Sequence, residues 1–378
     1  MENNNCSFTM FRGKFRWRFR GRFSVIAWLY FQWACLLLFA ASGCVTSETE
    51  AQTDSNAITL MTWNIHNLFD GIDDGNEYSE FLQSSGWSEE KYKGRINSIT
   101  AAIGRIETKP DVFLFQEIES LRILEDLAQA FAGGYSWSHF AGNAGSAIGL
   151  GILSRFPLLD IMAHSIIIEG ESIPRPVLEA RLQTEKGDII IFACHWKSKI
   201  GGDDATENIR KASARVILRR IRELWENDPD ACVIVAGDLN ENYDEFYRQG
   251  SAYISALLPD DPYCAMITEG EQKDYIVISA NMPPSPVHFP ESAIALFSPW
   301  MREMTNGSYY YKHAWETIDH FLISPQFFND TGWEYEKTVV ANIEPFTDSA
   351  GIPVAYNPRT GFGLSDHLPL LLTLKYIE

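Results

Sequence analysis

Four short, uninterrupted apolar runs punctuate the chain: ITLMTW (58–63), DVFLF (111–115), DIIIFAC (188–194) and ACVIVAG (231–237). Each is of strand length and shows no polar face, so each predicts a strand covered on both sides. Between them, EEKYKGRINSITAAIGRI (89–106) and TENIRKASARVILRRIREL (206–224) space their apolar residues as helices do, with Ile217, Ile221 and Leu224 on one face. VLEARLQTEKGDIIIFA (177–193) has two strand-like halves about a KGD turn and predicts a hairpin. No internal repeat or low-complexity block interrupts this order. Residues 259–315, rich in Pro, Tyr and Trp, and residues 341–363 lack a clear period and are expected to be long loops on the core. The pattern is that of one α/β domain with mixed sheets.

The buried runs end in residues that a core does not need. ITLMTW runs into Asn64, DVFLF into Gln116 and Glu117, IIIFAC into His195, and CVIVAG into Asp238 and Asn240. Two later runs begin polar instead: TIDHFLIS with Asp319, and SDHLPLLLTL with Asp366 and His367. If these two strands run antiparallel to the others, all of these groups gather on one rim of the sheets, where open α/β folds bind ligands. Each element also has an ordinary reading, since QE, GDLN and SDH are natural loop starts and turns. Jointly, in this order and at successive strand ends, they exceed what turn chemistry requires.

The residue types suggest a chemistry. Glu117, Asp238 and Asp366 offer hard oxygen ligands for Mg²⁺ or Mn²⁺. Asn64 and Asn240 can orient a phosphate without adding charge, while His195 and His367 can exchange protons near neutral pH. Metal, carboxylate and histidine without a nucleophile elbow, glycine-rich phosphate loop or HExxH motif point to hydrolysis by an activated water.

Charge divides the chain in two. The whole carries 31 basic and 50 acidic side chains, net −19. Residues 1–43 hold six of the basic groups (Arg12, Lys14, Arg16, Arg18, Arg20, Arg22) and only Glu2 as an acid, which leaves the remainder at −24. So acidic a body argues against binding nucleic acid mainly by counterion release. The basic stretch leads into an uncharged apolar run from Phe23 to Cys44, as in a secretory signal. The ending AASGC resembles the lipobox of bacterial lipoproteins, in which the cysteine, here Cys44, is lipidated. An uncleaved anchor is the other reading, because about 20 apolar residues can span a bilayer. Both place the rest of the chain outside the cytoplasmic membrane, on its periplasmic or cell-surface face. Residues 1–43 are thus expected as signal, 44–57 as a flexible tether and 58–378 as the working domain, a monomer. Cys194 and Cys232 lie in apolar runs as buried thiols, Cys264 in a polar stretch, and no zinc spacing is present.

The ordered set WNI, QE, HWKSK, GDLN, TIDHFLIS and SDHLP resembles the endonuclease/exonuclease/phosphatase superfamily, the deoxyribonuclease I-like hydrolases, over essentially all of 58–378. The resemblance implies a four-layer sandwich of two packed mixed β-sheets with helices on both outer faces. It implies Glu117 as the principal metal ligand, with Asn64 and Asp366 near the metal. Asp238 would align or deprotonate the attacking water and Asn240 would hold the phosphate. His367, backed by Asp319, would stabilise the transition state or act as base, and His195 would donate to the leaving group or a phosphate oxygen. DNA-repair members follow QE with a lysine pair, whereas this chain has QEIES, which disfavours an abasic-site role. HWKSK is similar to an element of secreted bacterial nucleases, with Cys194 in place of its Asn. Arg175, Lys197 and Lys199 are candidates for substrate phosphate contact, against a core ion pair for the Arg and a solvated loop for the two Lys.

An exported, Mg²⁺- or Mn²⁺-dependent phosphoesterase acting on nucleic acid is therefore the leading expectation. The same mechanism on inositol, sugar or sphingolipid phosphates is the first alternative. A catalytically silent surface lipoprotein is the second, against which every motif residue is present. The aromatic group Trp300, Tyr309, Tyr310, Tyr311 and Trp315 is expected to pack a long insertion rather than to stack bases or cover a lipid head group. His66, His139, His164, His288, His313 and His320 stand in no context that marks them.

Overall fold

The computed structural model describes residues 56–378 except 132, 143–144, 269–273, 283–288 and 290–292, so the expected signal, Cys44 and nearly all of the tether lie outside the described residues. Six strands form the first sheet: β1 (Ala57–Leu68), β2 (Val112–Ile118), β3 (Trp137–Ala141), β4 (Gly149–Ser154), β15 (Gly332–Val340) and β16 (Leu370–Ile377), in the order β15-β16-β1-β2-β4-β3. Eight form the second: β5 (Leu158–Ile168), β6 (Glu171–Leu182), β7 (Ile189–His195), β8 (Cys232–Asp238), β9 (Leu257–Pro259), β10 (Ile276–Ser279), β11 (Ala295–Phe297) and β14 (Asp319–Ile323), in the order β5-β6-β7-β8-β14-β11-β10-β9. A separate hairpin joins β12 (Tyr309–Tyr311) to β13 (Ala314–Glu316).

The apolar runs are covered on both faces because their residues alternate between two cores. Ile58 and Leu60 of β1 meet Leu178, Ile191 and Ile234 of the second sheet, while Met61 and Trp63 turn outward. There they pack beneath α1 (Glu89–Ile103) and α2 (Leu121–Ala130), whose Tyr92, Ile96, Ile99, Ile123 and Leu127 face the sheet. In the second sheet Phe192, Cys194, Val233 and Val235 turn the other way, towards Ala214, Ile217, Leu218 and Ile221 of α3 (Asp203–Asn227). The layers run helix, sheet, sheet, helix, the expected four-layer sandwich.

Register gathers the polar strand ends. β1 and β2 are parallel, with Asn64 beside Gln116, and β7 and β8 are parallel, with His195 beside Asp238. β14 is antiparallel to β8, placing Asp319 opposite Asp238, and β16 is antiparallel to β1, with Leu370 opposite Thr62. Gly237 makes the close pairing at β8 possible: with φ at +133°, a Cβ there would lie 2.0 Å from the Cys194 carbonyl oxygen.

Two expectations need correction. Residues 259–315 are no plain loop, since they carry β10 to β13 and the short helix α4 (Pro262–Ile267) as well as the end of β9. Short strands and one-turn helices give too few periods for a sequence pattern to register. Cys264, read as part of a polar stretch, is buried on α4 against Phe246 and Tyr275. No helix among the described residues is long and apolar enough to cross a membrane.

Candidate active site

The strand ends open into a cleft of about 680 Å³ lined by Asn64, Glu117, Arg175, His195, Asp238, Asn240, Asp366 and His367, among others. At its floor, Glu117 sits just where β2 leaves the ladder, with a left-handed φ of 63°. Its carboxylate accepts from the Asn64 amide at 3.1 Å and from the Asn67 backbone N–H at 2.9 Å. Asn64 also donates to Asp238 Oδ2 at 2.9 Å, while its own Oδ1 accepts the His66 N–H at 3.0 Å. Asn64 therefore serves the expected metal position as a donor that fixes two carboxylates, its oxygen being turned away onto the backbone.

Asp238 lies between the two histidines: His195 Nε2 is 3.6 Å and His367 Nε2 4.0 Å from its Oδ2. Burial pushes the Asp238 carboxyl up to about 7, helped by the nearby Asp319 charge and opposed by His367 and by its hydrogen bonds from Asn64 and Asn240. His367 is equally deep. Burial alone would lower its pKa, yet Asp319 reverses this through its charge and a 2.8 Å contact at Nδ1, with Asp238 and Asp366 adding to it. His367 ends well above the ordinary histidine value, and Ser308 holds Asp319 in place with a 2.6 Å hydrogen bond. His195 has no such carboxylate at hydrogen-bond distance among the described residues, Asp238 and Glu117 lying 3.6 and 3.7 Å away. Burial, with the Arg175, His367 and Lys197 charges around it, drives its pKa well down. At neutral pH the site thus holds one cationic and one neutral imidazole.

The three cations separate. Arg175 donates to the Trp196 carbonyl, which also accepts from the Asn240 amide at 3.1 Å. It faces the cleft with no ion-pair partner among the described residues, so the core-pair alternative does not hold. Lys199 borders the cleft, but its ammonium is spent on buried Glu245 at 2.6 Å. Lys197 does not line the cleft; its ammonium lies along its own loop, 3.3 Å from the Ile200 carbonyl. Neither lysine takes the expected position facing a phosphate: buried Glu245 draws Lys199 inward, and Lys197 turns back along its own loop.

The aromatic group also splits. Trp300 is core, its indole donating to the Asp319 carbonyl, and Tyr310 packs edge-on against Trp315. Tyr309 and Tyr311 line the cleft instead. Four residues were missed from sequence. His66 borders the cleft, its Nδ1 3.9 Å from Asp366 Oδ1. Asn67 reaches Glu117 through its backbone. Ser308 orients Asp319, and buried Arg95 clamps the carbonyls of Ile65, His66 and Asn67, each at 2.6 Å. Arg95 did leave a signal: a cation at a helix position spaced to share the buried face of Tyr92, Ile96 and Ile99.

A hard divalent cation suits only part of this donor set. Asp238, Asp319 and His367 bring ligand atoms within 4.8 Å of one another, but Asp319 Oδ2 is engaged by Ser308 and His367. That trio is a proton network built on an imidazole, whereas Mg²⁺ prefers oxygen. Glu117 and Asp366 are oxygen donors on the same cleft, and Asp366 is the more open to solvent. These two fit the metal.

The sequence matches the profile of the Endonuclease/Exonuclease/phosphatase family over residues 59–251. Among solved structures the fold is similar to truncated TDP2 of Caenorhabditis elegans, at 14% identity and a TM-score of 0.50, covering 84% of this chain and 97% of that one. It is similar also to D. rerio TDP2 humanized by 14 mutations, at 16% identity and 0.50, covering 85% and 100%. A Bacteroides thetaiotaomicron protein of the same family description has 16% identity and a TM-score of 0.49, with 85% and 95% covered. Comparison with curated proteins gives no match.

Proposed function

Because the chain belongs to the endonuclease/exonuclease/phosphatase family, we propose that its cleft is a metal-assisted phosphodiesterase site that hydrolyses nucleic acid with an activated water. One observation carries the reading: Asp238 Oδ2 lies 3.6 Å and 4.0 Å from the Nε2 atoms of two buried histidines, one of them backed at Nδ1 by Asp319. Asp238 Oδ2 takes the proton of the attacking water, a transfer best matched when acceptor and operating pH are close. Protonated His367 at Nε2 stabilises charge developing on the phosphoryl oxygens, and Asp319 keeps that proton in place. As the P–O bond to the leaving oxygen breaks, neutral His195 donates a hydrogen bond to that oxygen without adding charge, and the released alkoxide takes its proton from water. Arg175 meets a substrate phosphate, and Asn240, anchored on the Trp196 carbonyl, sets the edge of the phosphate position. Glu117 and Asp366 would hold Mg²⁺ or Mn²⁺, which supplies positive charge to the phosphoryl group.

A second reading has support in the cleft itself. Of its four Lys and Arg side chains, Lys199 and Arg248 are paired with Glu245 and Asp244, which leaves Arg175 and Lys312 to face Glu117, Glu316 and Asp366. That favours a small phosphate ester or a sphingolipid over a long polyanion. The test is hydrolysis by the purified chain with Mg²⁺ of plasmid DNA, RNA, sphingomyelin and inositol phosphates, beside Asp238→Ala. DNA or RNA cleavage lost in the variant is expected. Cleavage of sphingomyelin alone overturns the nucleic-acid reading, and no hydrolysis at all overturns the enzyme. We further propose that the chain acts as an exported monomer tethered through a lipid on Cys44. A mass increase at the mature N-terminus that disappears in Cys44→Ser tests the lipid.

A further inference from the structure

One wall of the cleft rises from His367 as a ladder of rings. Tyr309 stacks on the His367 imidazole with centroids 4.6 Å apart and planes 30° apart. Tyr311, two residues on and so on the same strand face, continues the stack at 6.0 Å and 17°. Lys312 closes it with its ammonium 5.0 Å from the Tyr311 ring centre. Tyr310, between them, points the other way and packs on Trp315. Tyr309, Tyr311 and Lys312 all line the cleft, and Tyr311 is 47% exposed, unlike the buried Trp300 at 4%.

We propose that this ladder is a subsite for an unpaired nucleobase next to the phosphate being cleaved, which makes single-stranded nucleic acid the substrate class. The proposal rests on the nucleic-acid reading above and narrows it. A wall serving only to pack would bury its outermost ring. Here the end of the ladder is held only by a Lys–Tyr contact in water, a weak cation–π interaction when so exposed. A base stacked on tyrosine is the stronger contact, so a base displaces the ammonium, which then meets the adjoining phosphate. A base within a duplex has both faces covered by its neighbours; only an unpaired one offers a face to Tyr311. The ladder starts on the imidazole that faces the phosphoryl group, so the stacked base and the cleaved ester belong to neighbouring positions of one strand.

The test compares the full chain with its Tyr311→Ala and Tyr311→Phe variants on three oligonucleotides of equal length in Mg²⁺: a single strand, the same strand with abasic tetrahydrofuran positions throughout, and a duplex. Wild type is expected to cleave the single strand best. Tyr311→Ala is expected to lower kcat/KM on it by about 10- to 100-fold, to leave the abasic strand within about 2-fold, and to melt as wild type does. Tyr311→Phe keeps the ring and is expected to retain the activity. Equal losses on the intact and abasic strands, or no loss on either, overturn the subsite. So does Tyr311→Ala weakening attachment to sphingomyelin vesicles while oligonucleotide cleavage is kept, which would mark a membrane surface. If wild type cleaves intact and abasic strands equally well, the nucleic-acid reading stands and the subsite alone falls. If wild type cleaves no oligonucleotide, both fall.

Discussion

The two walls of the cleft each present one deeply buried histidine, and the two are held in opposite protonation states. On the wall of β7 and β8, the charged side chains turn inward. Fully buried Arg210 donates to Glu207 and Glu241, and to the Lys197 and Asp203 carbonyls, while Lys199 closes on Glu245. This network braces the HWKSK and GDLN loops against each other, while His195 has no carboxylate at hydrogen-bond distance among the described residues. On the wall formed by His367 and the β12–β13 hairpin, Asp319 of β14, the strand next to β8, is held by Ser308 and engaged by His367, on which the tyrosines stack. Depth alone neutralises an imidazole; a carboxylate fixed behind it reverses the outcome. The first wall is stabilised by its charges, and the second uses its charge.

That contrast breaks most severely at Arg210. Removing the guanidinium leaves Glu207 and Glu241 buried without their cation, an effect of about 3–5 kcal/mol. Denaturant unfolding of Arg210→Ala should show a loss of that size. A loss under about 1 kcal/mol would mean that the wall does not depend on its charges.

The next test is on the second wall. Asp319→Asn removes the carboxylate that overcomes the burial of His367, so kcat/KM should fall by about 100-fold or more, as when a preorganised electrostatic group is lost. The alkaline limb of its pH profile should also move to lower pH. The linkage has a definite sign. A histidine whose folded pKa lies above the unfolded value of about 6.5 gives stability that is complete below that pH and lost as pH rises through the folded pKa. Asp319→Asn should therefore be most destabilised relative to wild type in acid, with the gap narrowing in alkali. An unchanged pH profile would detach His367 from Asp319.

Lys199→Met separates bracing from substrate contact. Its ammonium is engaged by Glu245 inside the wall, so stability should drop by about 1–3 kcal/mol, the cost of leaving a buried acceptor short of a partner. The activity per folded molecule should stay within about 3-fold. A 10-fold loss of kcat/KM with unchanged KM for the metal would return Lys199 to the substrate phosphates.

What the chain revealed in advance follows from the range of each interaction. The strands were legible because Ile58, Leu60, Met61 and Trp63 must satisfy two cores at once, which yields an unbroken apolar run. The rim residues were legible because each interrupts such a run at its end. Lys199 was not, because Glu245 reaches it from 46 residues away and nothing local marks the pair. Tyr309, Tyr310 and Tyr311 read as one aromatic block, and only the pairing of β12 with β13 decides which of the three turn to the cleft. His66 was hidden by the left-handed turn at 66–67, which bends it back over Asp366 and which buried Arg95 holds from below.

The mildest perturbation concerns the tip of the tyrosine hairpin. Lys312 and His313 form its two-residue loop with φ of 47° and 68°, the pair of left-handed conformations that a type I′ turn requires. Asn-Gly is the dipeptide suited to that geometry, and non-glycine residues held there store of order 1 kcal/mol. Lys312→Asn with His313→Gly should therefore stabilise the chain by about 0.5–1 kcal/mol, glycine's greater freedom in the unfolded chain offsetting part of the relief. The same pair of changes deletes the ammonium that closes the ladder while leaving Tyr311 in register. Binding of a single strand, followed by fluorescence anisotropy in an Asp238→Ala background to prevent turnover, should weaken by several-fold and lose part of its salt dependence. A gain in stability with a loss in binding would show that this wall keeps an unfavourable turn for the sake of a cation, whereas the β7–β8 wall spends its cations on staying folded. A fall in stability would mean that Lys312 and His313 hold the hairpin by their own contacts, and that the strain at the tip serves packing.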